Sequence, residues 1–253
     1  MNNLILDFTH CYPEERRNNL RDFEYLDCSD ISGCNMYCTK EAEEELRRRL
    51  MPYGPDGVHF LDSGNYHYLT KLFLEKIKSP FSLILFDYHN DMQIPMIHDL
   101  DSCGSWAGKV LWENAHLVQM VLIGPDEHTI EEIPWKASGK LICVSLQELE
   151  ERKAGEALES IERDIPVYIS IDKDVLDRHY ARTNWSQGGM SVKMLENVLE
   201  RMIIQSEVIG ADICGECPAN GIFAEAYEAE KINRRTNQAL YRFLRKYLEI
   251  DNR

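Results

Sequence analysis

Residues Ser82 to Gln93 read Ser-Leu-Ile-Leu-Phe-Asp-Tyr-His-Asn-Asp-Met-Gln. The apolar run Leu83 to Phe86 predicts a strand buried on both faces, and it stops abruptly at Asp87. Asp87, His89 and Asp91 follow at i, i+2 and i+4. In an extended segment alternate side chains point the same way, so all three are expected on one side. Two carboxylates and an imidazole gathered there repel and desolvate one another. A divalent cation resolves both problems, because it favours charged carboxylates and a neutral imidazole.

A second stretch has the same form. Val167 to Asp177 reads Val-Tyr-Ile-Ser-Ile-Asp-Lys-Asp-Val-Leu-Asp, a buried-strand pattern that ends in Asp172 and Asp174. Ligands of open parallel sheets gather outside the carboxyl ends of the strands. Two strand ends of this kind are expected to supply one site together.

The length of 253 residues suits one large α/β domain spanning the chain. A net charge of −15 argues against nucleic acid or an anionic membrane as main partner. It would steer cationic substrates, although solubility is the plainer reading. No stretch approaches the ~20 apolar residues of a membrane span. The opening Met-Asn-Asn-Leu-Ile-Leu-Asp lacks the regions of a signal peptide, so a cytoplasmic location is expected. The eight cysteines are read as free thiols. The alternative, a four-thiolate zinc site from Cys34, Cys38, Cys214 and Cys217, has nothing to bring its halves together.

Further strands are predicted at Leu4–Phe8, Glu24–Cys28, Val58–Leu61, Ala115–Gly124, Lys140–Ser145 and Glu207–Cys214. Tyr12 to Asn19 is read as a helix or surface turn, and Ile94 to Cys103 as loop. Thr39 is a candidate N-cap for a charged helix running to Leu50. Leu146 to Glu162 is read as a mostly helical connector. Glu225 to Ile250 is read as a long helix with an apolar stripe from Ile232 to Leu248. Strands alternating with helices predict a mostly parallel sheet with helices on both faces, a three-layer α/β fold.

The D-x-H-x-D motif at Asp87 and the S-x-D-x-D-x-x-D motif at Ser170, in this order, resemble the ureohydrolases (arginase, agmatinase and relatives). Ser63-Gly64-Asn65-Tyr66-His67 resembles a degenerate form of the family's G-G-D-H segment. Gly188 to Ser191 resembles its G-G-L-T, and Gly210 to Ile213 its late G-x-D-I strand. The resemblance implies the arginase/deacetylase-like fold and two divalent metal ions, most often Mn2+. It places their ligands on His67, Asp87, His89, Asp91, Asp172 and Asp174. Asp87 and Asp172 would be shared, His67 and Asp91 would complete one metal, and His89 and Asp174 the other. The donors are oxygen and imidazole, which suits manganese and permits other first-row metals. Asp177 matches a family position and is read as structural.

The implied activity is hydrolysis of a linear C–N bond in a guanidino compound, giving urea and an amine. Trimers and hexamers are common in the family, so a homo-oligomer is a further implication. Three features depart from the family pattern. Where it has S-H-G-T with a proton-shuttling His, this chain has Ser102-Cys103-Gly104-Ser105, so Cys103 takes the His position and His98 is a nearby substitute. Where it has E-x-N-P, this chain has Gly215-Glu216-Cys217-Pro218, which puts Glu216 one step off the guanidinium-pairing position. The family's loop that reads a free α-carboxylate has no clear match, so a small-molecule or a peptide-linked guanidine fits equally. Asn184, Trp185 and Gln187 lie where the family gates its substrate, with a packing Trp as the alternative. Two other functions remain open: an amidohydrolase or deacetylase of related fold, and a metal-binding protein that has lost turnover.

Overall fold

The computed structural model describes residues 2–12, 22–95, 100–134, 138–218 and 223–248. Its centre is an eight-stranded sheet. In chain order the sheet strands are β1 (Leu4–Asp7), β2 (Glu24–Asp27), β4 (Val58–Phe60), β5 (Phe81–Phe86), β7 (Leu117–Ile123), β8 (Leu141–Val144), β9 (Val167–Asp172) and β10 (Val208–Cys214). All eight segments expected to be strands are strands. They pair in parallel in the order β2-β1-β4-β10-β9-β5-β7-β8. Two short strands, β3 (Tyr37–Cys38) and β6 (Asp101–Ser102), form a separate antiparallel ribbon.

The solidly apolar strands divide their side chains between two cores. Leu83 and Leu85 of β5 pack on one face, Ile84 and Phe86 on the other. Helices α1 (Lys40–Leu50), α2 (Leu69–Leu74) and α3 (Trp106–Glu113) cover the first face. Helices α4 (Glu127–Glu131), α5 (Leu146–Glu150) and α6 (Gly155–Glu159) are short connectors on the β7 and β8 side. Helices α7 (Val192–Ile203) and α8 (Phe223–Leu248) cover the second face. The three-layer α/β architecture is therefore as the strand pattern requires.

Local capping explains several boundaries. Thr39 accepts from the Ala42 N–H at 3.2 Å and starts α1. Ser145 and Glu148 form a full capping box at α5, and Ser191 accepts from the Met194 N–H at α7. Helices α3, α4 and α7 were not expected from the sequence, while the Leu146–Glu162 connector is two short helices. The expected segment from Tyr12 to Asn19 lies, beyond Tyr12, outside the described residues. Among the described residues no helix is long and apolar enough to cross a membrane.

Between Asp172 and Asp174 at the end of β9, Lys173 is fully buried and turns toward α8. Its Nζ pairs with Glu216 and donates to Asn237 Oδ1 at 2.9 Å. Asn237 and Asn233 donate to Glu216 at 2.6 and 3.1 Å. This network fastens α8 beneath the strand ends. Removing one partner of a buried ion pair leaves an uncompensated charge, so Glu216→Gln is expected to lower the unfolding free energy by about 3–5 kcal/mol. Urea denaturation checks this, and an unchanged midpoint would contradict the arrangement.

Candidate metal centre

The two Asp motifs end neighbouring strands, since β5 and β9 pair directly. The strand at β5 stops at Phe86, however, and the chain bends at Tyr88 and His89 rather than continuing extended. Convergence is achieved by turn geometry. Asp87 Oδ1 accepts from the His89 N–H at 2.7 Å, and Asp91 adopts a left-handed φ of 49°. The Asp91 carbonyl accepts from the Ala107 and Gly108 N–H groups at the start of α3. Trp106 Nε1 donates to Asp91 Oδ2 at 2.7 Å and fixes that carboxylate. At β9 a 3₁₀ turn, Lys173–Val175, does similar work: Asp172 Oδ1 accepts from the Asp174 N–H at 2.9 Å.

His67 enters from the 3₁₀ turn Gly64–Tyr66 that follows β4. Gly64 permits close approach, because a Cβ there would lie 2.9 Å from both Asp172 Oδ2 and Trp185 Cδ1. His67 Nδ1 lies 3.2 Å from Asp87, 3.1 Å from Asp91 and 3.6 Å from Asp172. Its Nε2 lies 2.9 Å from Ser170 Oγ, and Ser170 donates to Asp212 Oδ1 at 2.6 Å. With the hydroxyl proton committed to Asp212, His67 must donate from Nε2, which turns Nδ1 toward the carboxylates, where a bound cation would take the place of its proton. This buried atom has no hydrogen-bond partner. His89 repeats the arrangement, with Nδ1 2.8 Å from Asp174 and 3.6 Å from Asp87 while Nε2 lies 3.0 Å from Ser186 Oγ.

Two groups with metal-ligand spacing result, His67–Asp87–Asp91 and Asp87–His89–Asp174, and they share Asp87. Asp172 stands beside both, and the side chains of all six except half-buried His89 are buried. Their electrostatics fit a cation. Burial and then the neighbouring carboxylates push Asp172 and Asp174 well above the usual carboxylate range. Burial pulls the His67 imidazole down, but Cys214, Asp87 and Asp91 outweigh it and raise His67 far above its ordinary value. For His89, burial is likewise outweighed by Asp174 and Asp87, and it rises to about 11. An orphaned imidazole nitrogen among crowded carboxylates matches the oxygen and nitrogen donor set of a divalent ion.

The other expected residues divide. Cys103 lines the same cavity, placed there by the ribbon of β3 and β6, where its N–H donates to the Met36 carbonyl at 2.9 Å. Burial, then Asp91, pushes its thiol up to about 12, so it holds its proton. Trp185 also lines the cavity, edge-on to His89 at 5.7 Å, with Nε1 donating to Asn65 Oδ1. Asn184 donates to the same oxygen at 2.8 Å. Gln187 is not in the lining: its amide donates to the Leu176 and Ala181 carbonyls and holds the loop. Glu216 is committed to Lys173. His98 lies outside the described residues. Asp177 is at the surface with His179. Sequence reasoning did not single out Trp106 or Asp212 as site residues, and it weighed Cys214 only as part of a four-thiolate site. Cys34, Cys38 and Cys217 belong to none of the metal-capable groups among the described residues.

The family model described as the Arginase family matches residues 10–232. An uncharacterized protein of Thermotoga maritima is 35% identical over 238 residues, covering 94% of this chain and 88% of its own. Among solved structures, a hypothetical agmatinase from Burkholderia thailandensis superposes with a TM-score of 0.61 at 19% identity, over 97% of this chain and 87% of its own. The agmatine ureohydrolase of Thermoplasma volcanium gives 0.62 at 16%, over 97% and 91%. A formimidoylglutamase from Bacillus subtilis gives 0.62 at 12%, over 91% and 84%. At these identities the structures share the fold.

His67, His89, Asp172 and Asp174 all carry raised pKa values, and the linkage sign is the same for each. Such a group stabilises the fold below its unfolded-state value and loses that contribution as pH rises through its folded-state value. His59, buried and lowered to about 4, acts oppositely, but only below the ordinary imidazole value. Chelator-treated protein is therefore expected to lose thermal stability from about pH 6.5 to about pH 8.5. Added divalent metal should raise Tm most at the upper end. A metal-free Tm that climbs over this interval would contradict the crowded site.

Proposed function

Because the chain belongs to the arginase family, we propose that it is a binuclear metal-dependent hydrolase of a linear C–N bond in a guanidino compound. The observation that carries this reading is the pair of ligand groups hinged on Asp87, with Asp172 beside both. His67, Asp87, Asp91 and Asp172 would hold one ion, and Asp87, His89, Asp172 and Asp174 the other. Four carboxylates balance two divalent cations. When bound, such a pair lowers the pKa of water and polarises the carbon under attack. Manganese suits the oxygen and imidazole donors.

The chain's own groups supply the rest. Ser170 and Ser186 orient the two imidazoles so that each presents Nδ1 to the carboxylates. Trp106 restrains Asp91. Cys103 Sγ lies at the cavity wall, where the resemblance places a shuttle, and burial keeps it protonated there. Trp185, tied to the His67 turn through Asn65, narrows the entrance and offers a flat face to a planar substrate head. The substrate is a small-molecule or peptide-linked guanidine.

One observation favours a second reading. Glu216 is spent on Lys173, and Gly215 stands where the family pairs its guanidinium. A protein that holds metal without turning over a guanidine fits that feature. Urea release separates the two. Manganese-reconstituted protein assayed against free arginine, agmatine and an arginine-containing peptide is expected to release urea from at least one of them. Asp172→Asn should lower that rate by at least about 100-fold. Two bound metals with no urea from any of the three would sink the guanidino reading and direct the search to amides.

A further inference from the structure

The metal-capable side chains extend beyond the six that the motifs identify. Cys214 ends β10 directly beside Asp172, because the two are partners in the parallel register. Paired residues on neighbouring strands project to the same face, so the thiol stands with the site rather than behind the sheet. It is fully buried, and Sγ lies 3.1 Å from Asp172 Oδ2. His67, Asp172 and Cys214 each offer a ligand atom within 4.8 Å of the other two. An independent observation points to a ligand in the same place: His67 Nδ1 is buried, turned into the cluster and without a hydrogen-bond partner.

The backbone holds the thiol where it is. The next residue, Gly215, has a φ of 88°, and a Cβ there would sit 2.6 Å from Asp172 Oδ1 and 2.9 Å from the Lys173 nitrogen. Only a glycine lets β10 press this closely on the end of β9. Gly215 therefore lets the end of β10 hold Cys214 against Asp172.

We propose that Cys214 is a sulfur ligand to an ion held with His67 and Asp172, so that this side of the centre selects a zinc-like ion over manganese. The proposal rests on the metal-centre reading given above and adds a donor to it. Added to His67, Asp87, Asp91 and Asp172, the thiolate would give that ion five protein donors, one of them sulfur. Oxygen and imidazole donors accept manganese, whereas a thiolate shifts preference toward zinc and cobalt. On ligation the S–H proton leaves to solvent and a metal–sulfur bond forms, with no change of oxidation state.

Cobalt reports sulfur ligation directly. Metal-free protein titrated with Co2+ is expected to show the near-ultraviolet sulfur-to-cobalt charge-transfer band together with the visible d–d bands. Cys103→Ser should keep the first band. Cys214→Ser should lose it while still showing d–d bands, with cobalt bound about 10–100-fold more weakly. Zinc-loaded wild-type protein, studied by X-ray absorption, should show a sulfur neighbour at about 2.3 Å, shared as one sulfur between the two ions. This second measurement needs no variant and stands if Cys214→Ser does not fold. Cobalt bound with d–d bands but no sulfur band, or a sulfur band that survives Cys214→Ser, would overturn the proposal and leave the metal centre intact. Failure to bind any cobalt would overturn the metal-centre reading, and this inference with it.

Discussion

Four carboxylates and two imidazoles are forced together at one edge of a sheet, and most of them are out of reach of water. No arrangement of protein groups alone relieves that crowding. Protonation relieves part of it, which is why Asp172, Asp174, His67 and His89 are all driven toward their protonated forms. A pair of divalent cations relieves all of it. The rest of the molecule holds these groups in place against their mutual repulsion.

Position comes from topology. Strands β5 and β9 are neighbours, β10 and β4 follow on one side, and each contributes at its carboxyl end or in the turn beyond. Parallel pairing aligns those ends without long excursions of chain. The supporting contacts then restrain these side chains one by one. Ser170 and Asp212 set the tautomer of His67, Trp106 grips Asp91, and the Lys173–Glu216 pair anchors the β9 turn to α8. Two of the backbone positions with a left-handed φ, Asp91 and Gly215, border this cluster.

The fold was largely legible because most of the parallel strands are solid apolar runs; the edge strand β2, Glu24–Asp27, is the exception. The two Asp motifs were legible for a related reason, since an apolar run that halts in acids marks a strand end. The reason given for their convergence was incomplete: alternation along an extended strand does not apply past Phe86, and turns do the work instead. A left-handed φ at Asp91 leaves no mark in a single sequence. Helix α7 carries a legible signal, with Ser191 as cap and Leu195, Val198, Leu199 and Met202 at helical spacing. The nearness of Cys214 to Asp172 depends on strand register across 42 positions, which local pattern does not reveal. Glu216 and Gln187 were expected at the substrate and are committed elsewhere, because partners such as Lys173 and the Ala181 carbonyl are known only once the chain is folded.

The most direct test of the central claim is anomalous diffraction from crystals of the metal-loaded protein, recorded at the absorption edge of the bound metal. Two peaks about 3.5–4 Å apart are expected. One should lie against His67 and Asp91, the other against His89 and Asp174, with Asp87 and Asp172 touching both. A single peak in fully loaded protein, or density away from Asp87, would contradict a binuclear centre at this sheet edge.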